Sequence, residues 1–193
     1  MVSDFITVVS GLPRSGTSLM MQMLAAGGLP ALTDAVRAPD ESNPRGYLAF
    51  EPVKRLRTDQ SWLGHAQGKA VKIIHLLLRE LPTDGRFAYR IIFMQRPIEE
   101  VLASQRVMLE RQGRKSAEDG ALSKIYQSQL SQLHQWLATQ SCFHTLAMEY
   151  HRVLAEPLAS AKEIDAFLGR GLDVAAMSKI VDPILYRQRT VFS

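Results

Sequence analysis

The chain has 193 residues, 46% apolar and 22% charged, with 23 basic against 19 acidic side chains and a formal net charge of +4. That length favours one domain, 1–193, with a substantial core. No apolar run reaches the roughly 18 residues of a membrane span, no Arg/Lys run with interleaved aromatics points to nucleic acid, and a lone Cys142 excludes both an intramolecular disulfide and a cysteine-based zinc site. The N-terminus carries no charged n-region followed by an apolar h-region. A reducing, cytoplasmic location is therefore expected, with Cys142 packed as a buried side chain.

In chain order, the apolar run Phe5–Val9 gives a strand over Thr7–Ser10, followed by a glycine-containing turn and an apolar, Met-rich helix over Thr17–Ala26. Asp34–Gly46 is polar, holds two prolines and reads as a loop. Further strands are expected at Ala70–His75, Tyr89–Gln95 and Phe143–Glu149. Most of these runs are continuously apolar, as in strands covered on both faces. Pro97 opens a helix with the stripe Ile98, Val101, Leu102, Met108 and Leu109. Gln112–Gly120 reads as a second loop. Leu122, Ile125, Leu130, Leu133 and Leu137 form the next stripe. Leu158, Ala161, Ile164, Phe167 and Leu168 form another, with Gly169 as its C-cap. Strands alternating with helices predict an α/β protein of three layers, a central parallel sheet flanked by helices. Ligands of such sheets gather at the carboxyl ends of the strands, where Gly11–Ser18, His75 and Arg96 should converge.

The first turn has the spacing of a P-loop, Gly11-x4-Gly16-Thr17-Ser18. Backbone N–H groups and a helix start at such a turn suit a phosphate. The usual lysine after the second glycine is replaced by Thr17, and a cation appears inside the loop at Arg14. After the strand Ile91–Gln95 come Arg96 and, eight residues on, Ser104, about two helical turns away and able to clamp one anion. No aspartate follows that strand to hold magnesium. Both departures count against a P-loop nucleotide kinase or ATPase. The bland alternatives are a solvated Arg14 and an Arg96 paired with Glu99 or Glu100. The scattered His65, His134, His144 and His151 offer no metal-ligand spacing.

Pro13-Arg14-Ser15-Gly16-Thr17-Ser18, Arg96…Ser104 within Arg-Pro-x5-Ala-Ser, and Tyr150 in Glu149-Tyr150 before Leu154-Ala155-Glu156-Pro157 and Phe167-Leu168-Gly169 resemble the motifs of sulfotransferases. These enzymes move a sulfuryl group from 3′-phosphoadenosine-5′-phosphosulfate (PAPS). Asn43-Pro44-Arg45-Gly46-Tyr47 and the ending Leu185-Tyr186-Arg187-Gln188-Arg189 resemble bacterial members. The resemblance spans nearly the whole chain and implies a P-loop-like fold. It also implies a donor site at Pro13, Arg14, Ser15, Gly16, Thr17 and Ser18, with Arg96 and Ser104 on the 3′-phosphate and Tyr150 on the adenosine. PAPS would be the co-substrate, 3′-phosphoadenosine 5′-phosphate (PAP) the product, and no metal is implied. Three departures stand out. The chain is short for the family. Arg14 occupies a position where cytosolic members carry lysine. The glycine-rich C-terminal motif is absent, leaving Arg187 and Arg189 as substitutes.

The acceptor is expected to be a small molecule or peptide presenting a hydroxyl or amine to a monomer or homodimer, with no nucleic acid or membrane involved. His75, in Val71-Lys72-Ile73-Ile74-His75, is similar to the cytosolic Lys-x-His segment with one residue inserted. An imidazole near neutral pKa suits proton abstraction. Glu51 is the rival base, and Lys72 is a candidate contact of the sulfuryl group or a surface cation. Tyr47, Phe50 and Trp62 are candidate acceptor-pocket aromatics. A non-catalytic domain that binds the nucleotide is the remaining alternative.

Overall fold

A computed structural model describes residues 5–34, 46, 48–114 and 119–182. It contains β1 (Phe5–Gly11), α1 (Thr17–Ala26), a 3-10 turn (Glu51–Arg55), α2 (Leu63–Ala66), β2 (Ala70–Lys72) and a second 3-10 segment (His75–Glu80). Then follow β3 (Ala88–Gln95), α3 (Ile98–Arg111), α4 (Asp119–Ala138), β4 (Phe143–Glu149), α5 (Tyr150–Ala155), α6 (Pro157–Leu168) and α7 (Val174–Lys179). The four strands are all parallel, in the order β2-β1-β3-β4.

The two central strands are mostly apolar because both their faces are covered, and Thr7 and Ser10 of β1 are buried with the apolar residues. In β1, Ile6 and Val8 point into one core with Phe93, Leu133 and Leu137, while Phe5 and Val9 point into the other with Met20, Leu24 and Ile164. Tyr89, Ile91 and Phe93 of β3 alternate in the same way with Ile92 and Met94. The first core is roofed by α4, α2 and the 3-10 segments, the second by α1 and α5–α7. This is the expected three-layer plan. A third, smaller cluster of Leu12, Val101, Leu102 and Tyr126 seats α3 and α4 against the turn after β1.

Three expectations are corrected. β2 stops at Lys72 instead of His75: it is a three-residue edge strand, and the chain leaves the sheet to begin a 3-10 turn at His75. β4 is the other edge, and its interrupted apolar run matches the exposure of His144 and Thr145. On α4 the buried position is Tyr126, whereas Ile125 is 48% exposed. Leu158 likewise sits on the outside of α6. Gly169 caps α6 in the left-handed conformation, as its position suggests. The predicted loop Asp34–Gly46 falls largely outside the described residues, as do residues 115–118 of Gln112–Gly120, whose end is already helical because α4 starts at Asp119. Cys142 is half-buried against the first core, and burial pushes its thiol pKa up. Among the described residues no helix is long and apolar enough to cross a membrane, and no cluster of three or more His, Cys, Asp or Glu could hold a metal.

Candidate donor-binding site

Parallel pairing brings the carboxyl ends of all four strands to one edge, with Gly11 beside Met94 and Gln95 beside Glu149. The turn after β1 is built from two glycines that nothing else can replace. Gly11 has φ 145°, and a Cβ there would meet the Ser15 hydroxyl at 2.5 Å and the Met94 carbonyl at 2.6 Å. Gly16, the N-cap of α1, has φ 103°, and its Cβ would stand 2.5 Å from the Tyr150 ring. The motif glycines are thus required by close approach as well as by backbone angle.

Among the described residues no side chain caps α1, and no acid occupies its first turn. The helical ladder begins with Met20 N–H on the Gly16 carbonyl. The N–H groups of Thr17, Ser18 and Leu19 therefore precede the ladder, at the positive end of the helix. The Ser15 N–H is used differently, donating to the Leu12 carbonyl at 3.1 Å. Its hydroxyl is wholly buried and has no partner among the described residues. Ser15 therefore packs under the turn, while Pro13, Thr17 and Ser18 are half-buried on it.

Cations surround this helix start. Arg14 lies in the left-handed region, φ 71°, and its Nε donates to Ser104 Oγ at 3.0 Å. Arg96 Nη1 donates to the Arg14 carbonyl at 3.1 Å. Arg96 Nε is paired with Glu100 at 2.8 Å, and the guanidinium lies over the Tyr150 ring, 4.8 Å from its centroid. Lys72 Nζ donates to Ser18 Oγ at 3.3 Å. Burial raises the Tyr150 pKa above the ordinary tyrosine range, with Arg96 and Arg14 pulling it down. Arg96 and Ser104 thus meet at Arg14, one on its carbonyl and the other on its side chain. Both hold Arg14, and the carboxylate partner weighed as the bland reading of Arg96 is present as well. The signal for Glu100 was its i,i+4 spacing from Arg96. His151, whose Nε2 lies 3.0 Å from the same Glu100 oxygen, was missed although it follows Tyr150 directly.

The two candidate bases lie apart from this knot. His75 is 2% exposed, with Nε2 3.0 Å from Gln129 Oε1 of α4 and its ring edge-on to Tyr126. The Tyr126 hydroxyl donates in turn to Gln105 of α3. Glu51 opens the first 3-10 turn and is paired with Lys54 at 2.5 Å, while its N–H donates to the Asp34 carboxylate. Trp62 is buried in the first core, and the half-buried Phe50 lies edge-on to it at 5.4 Å. Tyr47, most of the Asn43–Tyr47 motif, Arg187 and Arg189 lie outside the described residues. A cavity of about 210 Å³ runs beside the turn, walled by Leu12 and Ser15, Phe93–Arg96, and Leu130 and His134 of α4.

Comparison with solved structures places this architecture. Over 92% of this chain and 72% of its own, a sulfotransferase of Mycobacterium tuberculosis (STF1) superposes with a TM-score of 0.55 at 18% identity. The sulfotransferase domain from the curacin biosynthetic pathway gives 0.50 at 11% identity, covering 100% of this chain and 94% of its own. The chain has the sulfotransferase fold. A sugar kinase from a Janibacter species aligns over 94% of this chain and 98% of its own with a TM-score of 0.45 at 14% identity, too low to bear on the comparison. No family model matches the sequence, and no curated protein does.

Proposed function

We propose that the protein is a PAPS-dependent sulfotransferase acting on a hydroxyl or amine. The observation that carries this reading is the uncapped start of α1 flanked by Arg14, Arg96 and Lys72, with Ser104 on Arg14. Thr17, the residue after Gly16, leaves the position of a nucleotide kinase's lysine without a cation. The fold shared with sulfotransferases supports the same conclusion.

In this reading, the N–H groups of Thr17 and Ser18 hold the 5′-phosphate of the donor at the helix end. Sulfuryl transfer asks mainly for positioning and for stabilisation of charge. The bond from sulfur to the bridging oxygen breaks, and the oxygen becomes anionic. Arg14 faces that developing charge with a planar fork able to serve two oxygens. Lys72 and Ser18 form the neighbouring polar pair on the β2 side, placed to contact the sulfuryl oxygens. The 3′-phosphate falls to the Arg96–Ser104 end of the site. The new bond forms between sulfur and the acceptor atom, whose proton passes to His75 or Glu51. The acceptor is a small molecule or peptide, and the protein works in the cytoplasm without a metal, as a monomer or homodimer.

Calorimetric titration with PAP, with ADP and ATP plus magnesium as controls, tests the reading. Binding that depends on the 3′-phosphate and needs no magnesium is expected, followed by turnover of PAPS with a panel of acceptors. A preference for ATP with magnesium would replace it with a kinase. PAP binding without turnover of any acceptor would leave a nucleotide-binding domain.

A further inference from the structure

Arg96 looks away from solvent. Its side chain is 6% exposed and that of Glu100 2%. A carboxylate this deep is tolerated only when paired and hydrogen-bonded, and Glu100 receives Arg96 Nε and His151 Nε2 on the same oxygen, at 2.8 and 3.0 Å. The guanidinium so fixed has its Nη1 on the Arg14 carbonyl and its face on Tyr150. The Tyr150 ring in turn lies where a Gly16 side chain would be. One guanidinium therefore braces both ends of the Arg14–Gly16 turn, the Arg14 carbonyl directly and Gly16 through the tyrosine. Arg14 needs that brace: a φ of 71° in a residue other than glycine persists only where the surroundings over-determine it.

We propose that Glu100 is a positioning residue for the loop cation: it aims Arg96 at the Arg14 carbonyl and so holds the left-handed turn that presents the Arg14 side chain. The role given to Arg14 rests on the sulfotransferase reading, whereas the brace itself does not. Glu100 sits in the first turn of α3, four residues after Arg96, so the helix start sets the carboxylate against the strand end. Lysine cannot stand in for Arg96, because two N–H groups on one rigid plane must point at two acceptors at once.

The test has one arm without ligand and one with it. In the free protein, Glu100→Gln should speed exchange of the Ser15 amide, which donates to the Leu12 carbonyl within the turn, at least about tenfold, while the amides of β3 exchange as before. Arg96→Lys should do the same, and the double variant should be no worse than Arg96→Lys alone. With ligand, Glu100→Gln should weaken 5′-AMP and PAP by the same factor, about ten- to a hundredfold, because the turn that holds the 5′-phosphate is disturbed. Unchanged loop exchange, or weakening confined to PAP, overturns the proposal and leaves Arg96 as a 3′-phosphate ligand alone. Should the variants not fold, the wild-type Arg96 Nε–H resonance decides. A slowly exchanging signal at neutral pH is expected, and exchange as fast as that of an exposed arginine refutes the brace. Failure of the wild type to bind PAP counts against the sulfotransferase reading, and the exchange arm still decides the role of Glu100.

Discussion

The carboxyl edge of the sheet has two unlike sides. On the β3 side, an eight-residue central strand delivers Arg96 straight to the turn after β1, where Arg14, Ser104, Glu100, Tyr150 and His151 interlock. On the β2 side, the strand is three residues long, and it reaches the turn through Lys72 on Ser18. His75 and Glu51 are then placed by 3-10 turns, each engaged elsewhere: His75 with Gln129 and Tyr126, Glu51 with Lys54. A buried, register-locked strand fixes the β3 side before any ligand arrives. An edge strand gives no such guarantee, so the β2 side takes its geometry from α4 and the turns.

The largest expected effect breaks this contrast from the β2 side. With a competent acceptor in hand, alanine at the true base should cost about a hundred- to ten-thousandfold in kcat, and alanine at the other candidate little. Steady-state kinetics of His75→Ala and Glu51→Ala separate the two. Gln129→Leu sharpens the test: if His75 is the base, losing the Gln129 contact should lower kcat while PAP affinity is unchanged.

Next comes the β3 side. Arg14→Ala should lower kcat about a hundred- to a thousandfold, as when one preorganised charge-stabilising group is removed, with PAP affinity changed much less. Single-turnover kinetics beside calorimetry makes the comparison. Full turnover in Arg14→Ala would end its proposed role.

Gly16→Ala should be smaller on chemistry but visible in stability. The left-handed angle costs about 1–2 kcal/mol for a residue with a Cβ, and the Tyr150 ring stands in the way. In a Tyr150→Ala background the collision is relieved and the angular cost is left, so thermal unfolding of the double variant against Tyr150→Ala alone should show only part of the Gly16→Ala loss recovered. Full recovery would mean that the ring alone, and not the turn, demands glycine.

The same contrast explains how much the sequence disclosed. β1 and β3 were legible because burial on both faces makes them mostly apolar, and the turn between β1 and α1 because glycine spacing there answers to real collisions. The end of β2 was not, since the apolar run Ile73, Ile74, Leu76, Leu77, Leu78 continues past the strand into a 3-10 segment that buries Ile73 and Leu78 and exposes Ile74 and Leu76. The α4 stripe was misread by one residue. Tyr126, Leu130, Leu133 and Leu137 keep a four-three-four spacing, the true helical face, with the Tyr126 hydroxyl satisfied by Gln105. In the site, Arg96 and Ser104 were visible as a pair, but that both turn toward Arg14 depends on residues 82 and 90 positions apart in the chain and no local pattern carries it.

The smallest effect concerns His134, at the mouth of the cavity beside the turn, with its ring edge 4.9 Å from Phe93 between centroids. Partial burial lowers its pKa. A histidine whose folded-state pKa lies below its unfolded value takes up its proton more readily when the chain unfolds. Stability at this site is therefore complete above about pH 6.5, the unfolded value, and declines as the pH falls through that value toward the lower folded one. Because the ring is part-exposed, solvent screening keeps the loss small. Urea unfolding at pH 5.0 and 7.5 should show a slightly smaller acid loss in His134→Gln than in the wild type. Equal acid losses in the two would mean that His134 titrates as freely in the fold as out of it. An acid loss that grows in the variant would mean that a neighbour welcomes the imidazolium. In the expected case His134 stands neutral at pH 7 and adds no positive charge to the cavity that it lines with Ser15 and Arg96.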